Sequence, residues 1–448
     1  MHYEKLQDGT VKCIDEIPFE VPEGWAWCKL NDIYNFIDYR GATPTKITNG
    51  IPLVTAKNVK SGYIDYTIDD YISEEEFKER QQRGISKKGD ILFTTEAPLG
   101  NAALADMEKF SAGQRLITFQ QYGSKNELIN YVMLMFILSD FFQQQLYVNK
   151  TGSTVAGIKA AILKTLWIPV PPYNEQLRIS NTLKSAINLI DSISKNKEIL
   201  STSISNTKSK ILDLAIRGKI VPQDPNDEPA SVLLERIRAE KEELIKQGKI
   251  KRDKKESVIF KGDDNSYYGI HLPDSWNWAS LREIALSISD GSHNPPPNNG
   301  SGIPLLSAAN INDNSILMNE ISRWITNEEW KIENQRTNIE VGDVLLTIVG
   351  SIGRSAVVQN NNHFALQRSV AVIKPCLINP LYLMHIVQSP QIQKWLTDNS
   401  KGTAQKGIYL NALSLMIIPI PPLAEQARIV EHIHIAYKHL DLISNALL

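Results

Sequence analysis

The chain has 448 residues, of which 42% are hydrophobic, and a formal net charge of −2 at pH 7. This length and apolar content predict at least two globular domains and exclude a disordered chain, and the small net charge means that affinity for nucleic acid would depend on local clusters of positive charge. Three widely spaced cysteines without a Cys-x-x-Cys pair, together with the shortness of the apolar runs, favour a cytoplasmic protein with no structural metal and no membrane-spanning helix.

An internal repeat organises the chain. Residues 21–30 (VPEGWAWCKL) are similar to residues 272–281 (LPDSWNWASL), and both segments come first in a series of repeated segments. Four more pairs keep this order: 50–59 with 302–311, 88–94 with 341–347, 114–115 with 367–368, and 151–158 with 401–408. Self-similarity at this distance predicts two copies of one module, each of about 150 residues.

Within each module the sequence predicts both strands and helices. The short apolar runs at residues 90–94 and 343–349 are bounded by Gly and Pro, which is typical of strands. Residues 127–147 and 380–397 are expected to be helices that pack on them. The predicted fold class is therefore mixed α/β (α+β), in tandem modules.

A long helix is predicted after the first module. Apolar residues recur alternately every four and three positions from Ile179 to Leu214, so residues 174–217 should form one helix, about 65 Å long, with a narrow apolar seam. The same rhythm runs from Ile429 to Leu447, and we expect the two helices to form an antiparallel coiled coil that separates the modules, with an internal pseudo-two-fold repeat. By alignment of the copies, about 20 residues of the first helix lack a counterpart, so we expect either that the chain is truncated or that another helix completes the bundle.

Four patterns suggest catalysis or metal binding, but each lacks residues that the chemistry requires. Residues 170–173 (VPPY) lack the Asp, Asn or Ser with which amino-methyltransferases hold a target amine, and no Gly-rich loop for S-adenosylmethionine follows a strand. Residues 152–157 have phosphate-loop spacing without the Lys-Ser/Thr pair. Glu76 and Glu329 fit helix capping boxes better than a nuclease motif. The histidines of the C-terminal helix lack partners for zinc or a triad, so we predict no catalytic residue and no metal site.

Local clusters of positive charge favour DNA binding. Residues 344–397 and 141–174 contain no acidic residue, and basic side chains within or beside them suit phosphate contacts. Nearby polar side chains are candidates for contacts with base edges. The candidate DNA-binding residues are Lys57, Asn58, Thr94, Thr95, Gln114, Arg115, Lys150, Lys159, Ser292, His293, Asn310, Arg354, Gln367, Arg368, Lys401 and Lys406. For Arg115 and Arg368, which each follow a Gln in the repeat, a buried structural role is an equal alternative.

With these features the chain resembles the specificity (S) subunits of type I restriction-modification enzymes, over essentially its whole length. The resemblance is most specific in the Pro-Pro-x-x-Glu-Gln-x-Arg-Ile segments at residues 171–179 and 421–429 and in residues 212–222 (LDLAIRGKIVP). It implies that each module is a target recognition domain for one half of a split DNA sequence, and that the helices set the spacing and dock methyltransferase subunits. The implied partner-binding residues are Glu175, Gln176, Arg178, Glu425, Gln426 and Arg428.

The resemblance also implies how the chain divides and what it assembles with. The predicted segments are residues 1–172 (target recognition domain 1), 173–228 (long heptad helix), 229–270 (charged helix and linker), 271–422 (target recognition domain 2) and 423–448 (short heptad helix). The implied partners are double-stranded DNA, two methyltransferase subunits and two restriction subunits, which would carry S-adenosylmethionine, ATP and Mg; this chain would be non-catalytic and hold no cofactor. The alternatives are a coiled-coil scaffold for two proteins and, less favoured, a single-chain DNA methyltransferase or nuclease.

Overall fold

The computed structural model describes residues 2–5, 8–14, 18–39, 43–67, 69–122, 128–152, 156–252, 266–402 and 406–447. By its internal contacts the chain forms two compact units, residues 1–193 (unit 1) and residues 194–448 (unit 2). Both units mix helices with sheets, so the predicted α/β character and the presence of two domains are confirmed. The five-segment division stays a prediction. No helix among the described residues is both long enough and apolar enough to cross a membrane.

Unit 1 contains eleven strands and five short helices before one long helix, counted over its described residues. In chain order they are β1 (His2–Lys5), β2 (Val11–Ile14), β3 (Ala26–Lys29), α1 (Leu30–Ile33), β4 (Tyr34–Asp38), β5 (Ile51–Val54), β6 (Tyr71–Ile72), α2 (Glu74–Arg80), β7 (Ile91–Thr94), β8 (Ala102–Leu104), β9 (Ser111–Ala112), β10 (Leu116–Gln121), α3 (Asn130–Leu138), α4 (Asp140–Asn149), α5 (Ala160–Leu163), β11 (Trp167–Val170) and α6 (Tyr173–Ile216). Helix α6 continues across the boundary into unit 2.

The core of unit 1 lies on both faces of its main sheet. The sheet has the strand order β4-β10-β7-β8, and every neighbouring pair is antiparallel. Successive side chains of a strand point to opposite faces. In the central strand β7, Ile91 and Phe93 join the cluster that packs against α3, whereas Leu92 joins a second cluster with Val54. Burial on both faces explains why β7 has a continuous apolar sequence instead of an alternating one.

Unit 2 repeats this arrangement with different side chains. Its elements are α7 (Ala230–Lys246), β12 (Ser266–Tyr267), β13 (Ile270–His271), β14 (Asn277–Ser280), α8 (Leu281–Ile284), β15 (Ala285–Asp290), β16 (Ile303–Leu306), β17 (Ile311–Asn312), β18 (Ser315–Ile316), β19 (Trp324–Ile325), α9 (Asn327–Thr337), β20 (Val344–Thr347), β21 (Ser355–Val357), β22 (Ala365–Leu366), β23 (Val370–Pro375), α10 (Pro380–Val387), α11 (Pro390–Asp398), α12 (Leu410–Leu413), β24 (Ile417–Ile420) and α13 (Leu423–Asn445).

The sheets of the two units have matching topologies. The main sheet of unit 2 has the order β15-β23-β20-β21, and its central strand β20 again divides its side chains between two clusters. A three-stranded sheet, β6-β5-β9 in unit 1 and β19-β16-β22 in unit 2, combines one antiparallel and one parallel pair in each case. The repeated sequence segments therefore form equivalent strands of the two units: residues 88–94 include β7, and residues 341–347 include β20.

Two helices that were predicted as continuous are broken. Residues 128–147 of the predicted helix 127–147 form α3 and α4, because Ser139 adopts an extended backbone and its hydroxyl accepts a hydrogen bond from the Phe142 amide; Glu127 lies outside the described residues. Residues 380–397 form α10 and α11, which are separated by Ser389 ahead of Pro390. A residue before proline avoids the helical conformation, and proline itself lacks an N–H to continue the helix.

The long helix has the extent that its sequence predicts. Helix α6 spans 44 residues from Tyr173 to Ile216 and is followed by Gly218, whose φ of +65° is a helix-terminating conformation that favours glycine. The charged helix, predicted over residues 229–255, is observed as α7 but ends already at Lys246, and residues 247–252 are not helical. Residues 253–265 lie outside the described residues, as do 153–155 and 403–405 of the repeated turns. Both predicted capping boxes lie at helix starts, but only one is complete. At α9 Thr326 and Glu329 form the full box, whereas at α2 the Ser73 hydroxyl accepts from the Glu76 amide while the Glu76 carboxylate accepts from the Thr45 amide instead.

Within unit 2 the end of α6 lies antiparallel to α13. Lys208 forms an ion pair of 2.6 Å with Asp441 and its carbonyl accepts a hydrogen bond from Tyr437, whereas Gln223, farther along the chain, reaches Glu425 near the start of α13. Residues later in the segment 208–223 thus contact residues earlier in α13, which is the arrangement of two antiparallel segments. Ile204 and Leu212 of α6 are buried, but the preceding seam residues Ile193 and Leu200 are exposed.

Candidate nucleic-acid interface

In unit 1, predicted DNA-binding residues meet around one cavity of about 460 Å³. The backbone brings them together, because the Thr95 amide donates to the Arg115 carbonyl and the Ile158 amide donates to the Thr95 carbonyl. The turn after β7, the start of β10 and the segment before α5 thus share one rim. The cavity is lined by Thr95, Glu96, Gln114, Arg115, Thr151, Gly157, Ile158 and Lys159.

A second cavity of about 190 Å³ extends the same surface. Gln114 and Arg115 line both cavities, and Lys57 joins them in the second. Gln114 accepts a hydrogen bond of 2.8 Å from the Thr43 hydroxyl, which holds its amide at the rim. Lys150 lies next to Thr151 in the chain, with its ammonium group 3.5 Å from the centre of the Tyr147 ring. Lys57, Arg115, Lys150 and Lys159 are all exposed, so phosphate groups have access to them.

Unit 2 has an equivalent backbone network, in which its Gln-Arg pair is shifted by one residue: the Gly113 amide donates to the Val54 carbonyl in unit 1, and the Gln367 amide takes this place in unit 2. The Gln367 amide donates to the Leu306 carbonyl, and the Arg368 amide donates to the Ser292 carbonyl. The Ile408 amide donates to the Ile348 carbonyl, and the Gly350 amide donates to the Lys406 carbonyl, which repeats the connection of Ile158 with Thr95 in unit 1. Exposed basic side chains of this region are Arg354, Arg368, Lys401 and Lys406.

Arg115 and Arg368 are both exposed, which argues against the alternative of a buried structural role. They differ in their neighbours. The guanidinium of Arg115 lies 3.2 Å from the Glu96 carboxylate, an ion pair whose two side chains are about half exposed. The position equivalent to Glu96 in unit 2 is Val349, where the chain makes the same backbone bridge to a glycine. The two rims therefore share their framework and differ in charge.

Five of the predicted base-contacting side chains have structural roles instead. Asn58 is 3% exposed; its carboxamide oxygen accepts from the Thr55 amide, and its nitrogen donates to the Asp65 carbonyl. Asn310 closes the equivalent turn of unit 2 between Ser307 and Glu320. Thr94, Thr95 and Ser292 are also buried, and the two threonine hydroxyls donate to backbone carbonyls. Because a buried, internally bonded group cannot reach a base edge, the prediction is corrected for Asn58, Thr94, Thr95, Ser292 and Asn310.

Charge neutralisation also distinguishes basic residues near the rim of unit 2. His293 is exposed but hydrogen-bonded to Asp290 at 2.8 Å, and Arg336 pairs with the same carboxylate. Lys374, which lies in the acid-free interval, forms ion pairs with Asp343 and Glu340 and is largely buried. Burial raises the pKa of Asp343, with the hydrogen bond from Lys374 opposing that rise. The basic residues of a sequence interval without acidic residues can therefore still be neutralised by acidic residues from other parts of the chain.

The predicted partner-binding residues at the helix starts are mostly engaged within their own unit. The carboxamide of Gln176 accepts from the Ile129 amide at 2.8 Å and donates to the Pro171 carbonyl at 2.9 Å. Gln426 makes the same two bonds with Asn379 and Pro421. This bridge between a helix start and the preceding module needs one donor and one acceptor on a single side chain, which accounts for the repeated glutamine.

The other four residues of this group differ between the units. Glu425 is fully buried and accepts hydrogen bonds from Trp276 and Gln223, and Arg428 pairs with Asp227. For Gln176, Glu425, Gln426 and Arg428 the structure therefore replaces the predicted partner contact with an internal one. Glu175 is only half-buried and Arg178 is exposed, so these two remain candidates for partner contact.

Glu96 is the residue of the rim that sequence reasoning missed. It was divergent between the copies, since residues 95–98 (TEAP) correspond to residues 348–351 (IVGS). This divergent segment lies between two segments that recur in both copies, and that contrast was the sequence signal that could have identified Glu96. In addition, no group of three or more His, Cys, Asp or Glu side chains within the described ranges is arranged to hold a metal ion.

Two modules of one fold, each presenting an exposed arginine beside a partly exposed glutamine and among lysines, define a class of two-module polyanion-binding proteins. Comparison with known proteins specifies the class further. The family model described as "Type I restriction modification DNA specificity domain" matches residues 22–201 and 273–447. The chain therefore belongs to the type I restriction-modification DNA specificity family, and the predicted resemblance is confirmed.

Individual relatives agree with this assignment over most of their length. The chain is 23% identical to the type I restriction enzyme EcoBI specificity subunit of Escherichia coli, with 94% of this chain and 81% of that protein covered. It is 26% identical to the EcoEI specificity subunit of Escherichia coli, with 97% and 81% covered. The HsdS subunit from Thermoanaerobacter tengcongensis has a similar fold, with a TM-score of 0.53, 18% identity, and 97% of this chain and 94% of that one covered.

Proposed function

We propose that this chain is the DNA-sequence specificity subunit of a type I restriction-modification complex, and that each unit reads one half of a two-part DNA target. The observation that carries the proposal is that a Gln-Arg pair with an exposed arginine lies just before the equivalent strand in both units, at Gln114 and Arg115 before β10 and at Gln367 and Arg368 before β23, with the pair of unit 2 one residue farther from its strand. Arginine recognises guanine O6 and N7 with two hydrogen bonds, and glutamine recognises adenine N6 and N7 in the same way.

Differences around the recurring pair support different half-sites. Lys57 of unit 1 corresponds to Ala309 of unit 2, and Glu96 corresponds to Val349. A carboxylate beside the arginine accepts a hydrogen bond from cytosine N4 and repels phosphate, whereas an apolar side chain favours contact with a thymine methyl group. The same framework would thus present two distinct recognition surfaces.

The finer parts of the proposal concern the long helices and the partners. We infer that α6 and α13 form a coiled coil that spaces the units in a pseudo-two-fold arrangement and docks two methyltransferase and two restriction subunits. Catalysis, S-adenosylmethionine, ATP and Mg would belong to those subunits, and the complex would act in the cytoplasm. Support comes from the unbroken length of α6 and from the exposed apolar residues on it, including Leu189, Ile190 and Ile193.

A duplex-binding titration tests the function. The chain is assembled with its methyltransferase partner, and its affinity for duplexes from the host genome is measured over a range of salt concentrations. We expect affinity to fall steeply and log-linearly with salt, because lysines and arginines displace counterions from phosphates, and we expect one duplex sequence to bind about a thousandfold or more tightly than the rest. A scaffold protein would show salt-insensitive behaviour or no binding, and uniform affinity for all duplexes would contradict a specificity role.

A further inference from the structure

One charged pair of unit 1 has no counterpart in unit 2. The guanidinium Nε of Arg115 lies 3.2 Å from a carboxylate oxygen of Glu96. The backbone gives the equivalent positions of unit 2: Val349 makes the bridge to a glycine that Glu96 makes, and the Ser369 carbonyl accepts the amide hydrogen bond that the Arg115 carbonyl accepts. The Ser369 hydroxyl accepts a further bond from the Ala308 amide at 3.0 Å. Both members of the pair are therefore replaced together, by side chains that cannot form an ion pair.

The backbone of unit 1 fixes the two residues of this pair relative to one another. The amide and the hydroxyl of Thr95 both donate to the Arg115 carbonyl, at 3.1 Å and 3.2 Å. Glu96 follows Thr95 in the chain and is bridged to Gly157 through its backbone. Side chains on a frame held in this way lose little freedom when a ligand binds, which favours a specific contact.

The pair is placed for binding more than for folding. Its side chains are 51% exposed at Arg115 and 43% exposed at Glu96, and an ion pair with this much exposure contributes little to stability because water screens it. Both side chains line the cavity of about 460 Å³ in unit 1, with Lys159 on the same rim. The polar groups that the ion pair leaves over are therefore accessible to a ligand at that rim.

Those polar groups form an ordered set. A guanidinium has five N–H donors, and the contact through Nε leaves the four on Nη1 and Nη2, which form a planar fork. The carboxylate keeps its second oxygen as an acceptor. In the major groove a G·C pair shows two acceptors, guanine N7 and O6, followed by one donor, the cytosine N4 amino group, whereas an A·T pair shows an acceptor, a donor and an acceptor. A fork of donors beside one acceptor is thus complementary to G·C and not to A·T.

We propose that Arg115 and Glu96 together read one G·C base pair in the half-site of unit 1. Nη1 and Nη2 of Arg115 donate to guanine O6 and N7, and the second carboxylate oxygen of Glu96 accepts from N4 of the paired cytosine. Through its contact with Nε, Glu96 also holds the fork in place, and its negative charge disfavours a phosphate at the same spot. This inference rests on the proposed function and deepens it, because it assigns one base pair to two named side chains.

Selection from a pool of randomised duplexes tests the assignment. The chain is assembled with its methyltransferase partner, and the bound duplexes are sequenced to give the preference at every base pair. We expect one position in one half-site to favour G·C by about 5- to 150-fold, which is the discrimination that a good bidentate contact provides.

Two variants should act on that one position. Arg115→Lys keeps the positive charge but loses the planar fork, so it should remove most of the preference for G·C while a phosphate contact would survive it. Glu96→Val introduces the side chain that unit 2 has at this place and removes the acceptor, so it should lower the preference by about 2- to 13-fold, the effect of one lost hydrogen bond. The other positions of both half-sites should keep their preferences, which would show that the variant units are folded.

Glu108→Val is the matched control. Glu108 is exposed and pairs with Lys88 at 2.8 Å; Lys88 precedes β7, whereas Glu96 follows it. This variant removes the same charge and should leave every base preference unchanged. Unchanged preferences with Arg115→Lys would overturn the proposal, as would effects of the two test variants at different positions or a preference for A·T at their common position. A pool without any preference for the unaltered complex would overturn the proposed function as well, so the two failures are distinguishable.

Discussion

Arg115 and Arg368 show how one edge of a repeated framework acquires two chemistries. The Arg115 carbonyl accepts from the Thr95 amide, Ser369 makes the equivalent bond with Ile348 in unit 2, and the side chains of both arginines are exposed. Glu96 partly neutralises Arg115, while Val349 adds no charge beside Arg368. An exposed ion pair of this kind contributes roughly 0–1 kcal/mol to folding, so its consequence for stability is small and its consequence for a bound polyanion is larger.

Replacement of Arg368 by alanine should weaken DNA binding without weakening the fold. Loss of a bidentate base contact costs about 1–3 kcal/mol, so affinity for the specific duplex should fall about 5- to 150-fold, whereas an exposed substitution changes unfolding free energy by about 0.5 kcal/mol or less. Duplex titration and urea unfolding of the same preparations measure both quantities. Arg252→Ala, which removes an exposed arginine bonded to Glu242, is the control and should alter neither. Lower stability with unchanged affinity in the folded fraction would instead indicate a structural arginine.

His385 should make unit 2 sensitive to mild acid. The side chain is 7% exposed on α10, its Nδ1 has no hydrogen-bond partner among the described residues, and burial lowers its pKa to about 4, with nearby His434 acting in the same direction. In the unfolded chain the pKa of this histidine is about 6.5, so between pH 6.5 and 4 the unfolded chain binds a proton that the folded chain does not. The free energy of unfolding should therefore decline as pH falls from about 6.5 to about 4, by up to about 3 kcal/mol.

Urea unfolding at a series of pH values, monitored by tryptophan fluorescence, checks this dependence. Carboxylates add their own acid sensitivity, so the diagnostic quantity is the difference between variants. His385→Asn should flatten the dependence between pH 6.5 and 4, whereas His432→Asn, at an exposed position on α13, should leave it unchanged. Equal slopes for all three proteins would show that His385 is not buried in its neutral form.

At the scale of elements, two helix ends provide a matched test of close packing. Gly218 and Gly248 both end a helix with positive φ, and both are followed by a lysine whose amide donates to a carbonyl five residues back. An added Cβ at Gly248 meets nothing within 4 Å, whereas at Gly218 it would collide with Pro273. Gly248→Ala should therefore cost about 1 kcal/mol, from backbone conformation alone, and Gly218→Ala about 1–3 kcal/mol more. Similar losses of unfolding free energy for the two variants would contradict the close packing of Gly218 on Pro273 and Trp276.

Local signals explain which elements were predictable. The seam, the proline pair before the helix and the glycine after it place α6 within one residue of its predicted bounds, because each signal acts through nearby backbone. The breaks at Ser139 and Ser389 were missed, since apolar periodicity continues across them and only the local hydrogen bonds favour a break. Prediction of helices from composition thus failed where a single serine or proline decides the backbone.

The candidate site was predictable in its position more than in its members. The repeat located the Gln-Arg pairs, but it also selected Asn58 and Asn310, which recur because both copies close the same turn. A polar residue that recurs between two copies of a fold marks what the copies share, and this includes structure. Glu96 was missed because its importance comes from a spatial neighbour, Arg115, that lies 19 residues away in the sequence.

At the scale of the whole molecule, α6 is proposed to set the distance between the two half-sites. Insertion of one heptad after Leu200 keeps the seam in register, falls where the side chains are exposed, and adds about 10 Å of helix. Since base pairs stack about 3.4 Å apart, the unread spacer of the target should lengthen by up to about three base pairs. Maps of methylated adenines in cells that carry the complete system measure the spacer. An unchanged spacer with full activity would show that α6 docks partners without setting the distance.

The claim that each unit reads one half of the target is tested most directly by exchanging one module. Residues 31–149 are replaced by the corresponding residues of another member of the family, while the helix starts, α6 and unit 2 are kept. Methylated adenines are then mapped across the genome of cells that carry the chimera and its partner subunits. The account predicts that one half of the methylated sequence changes to that of the donor while the other half and the spacer stay the same. A change in both halves, or in neither, would contradict it.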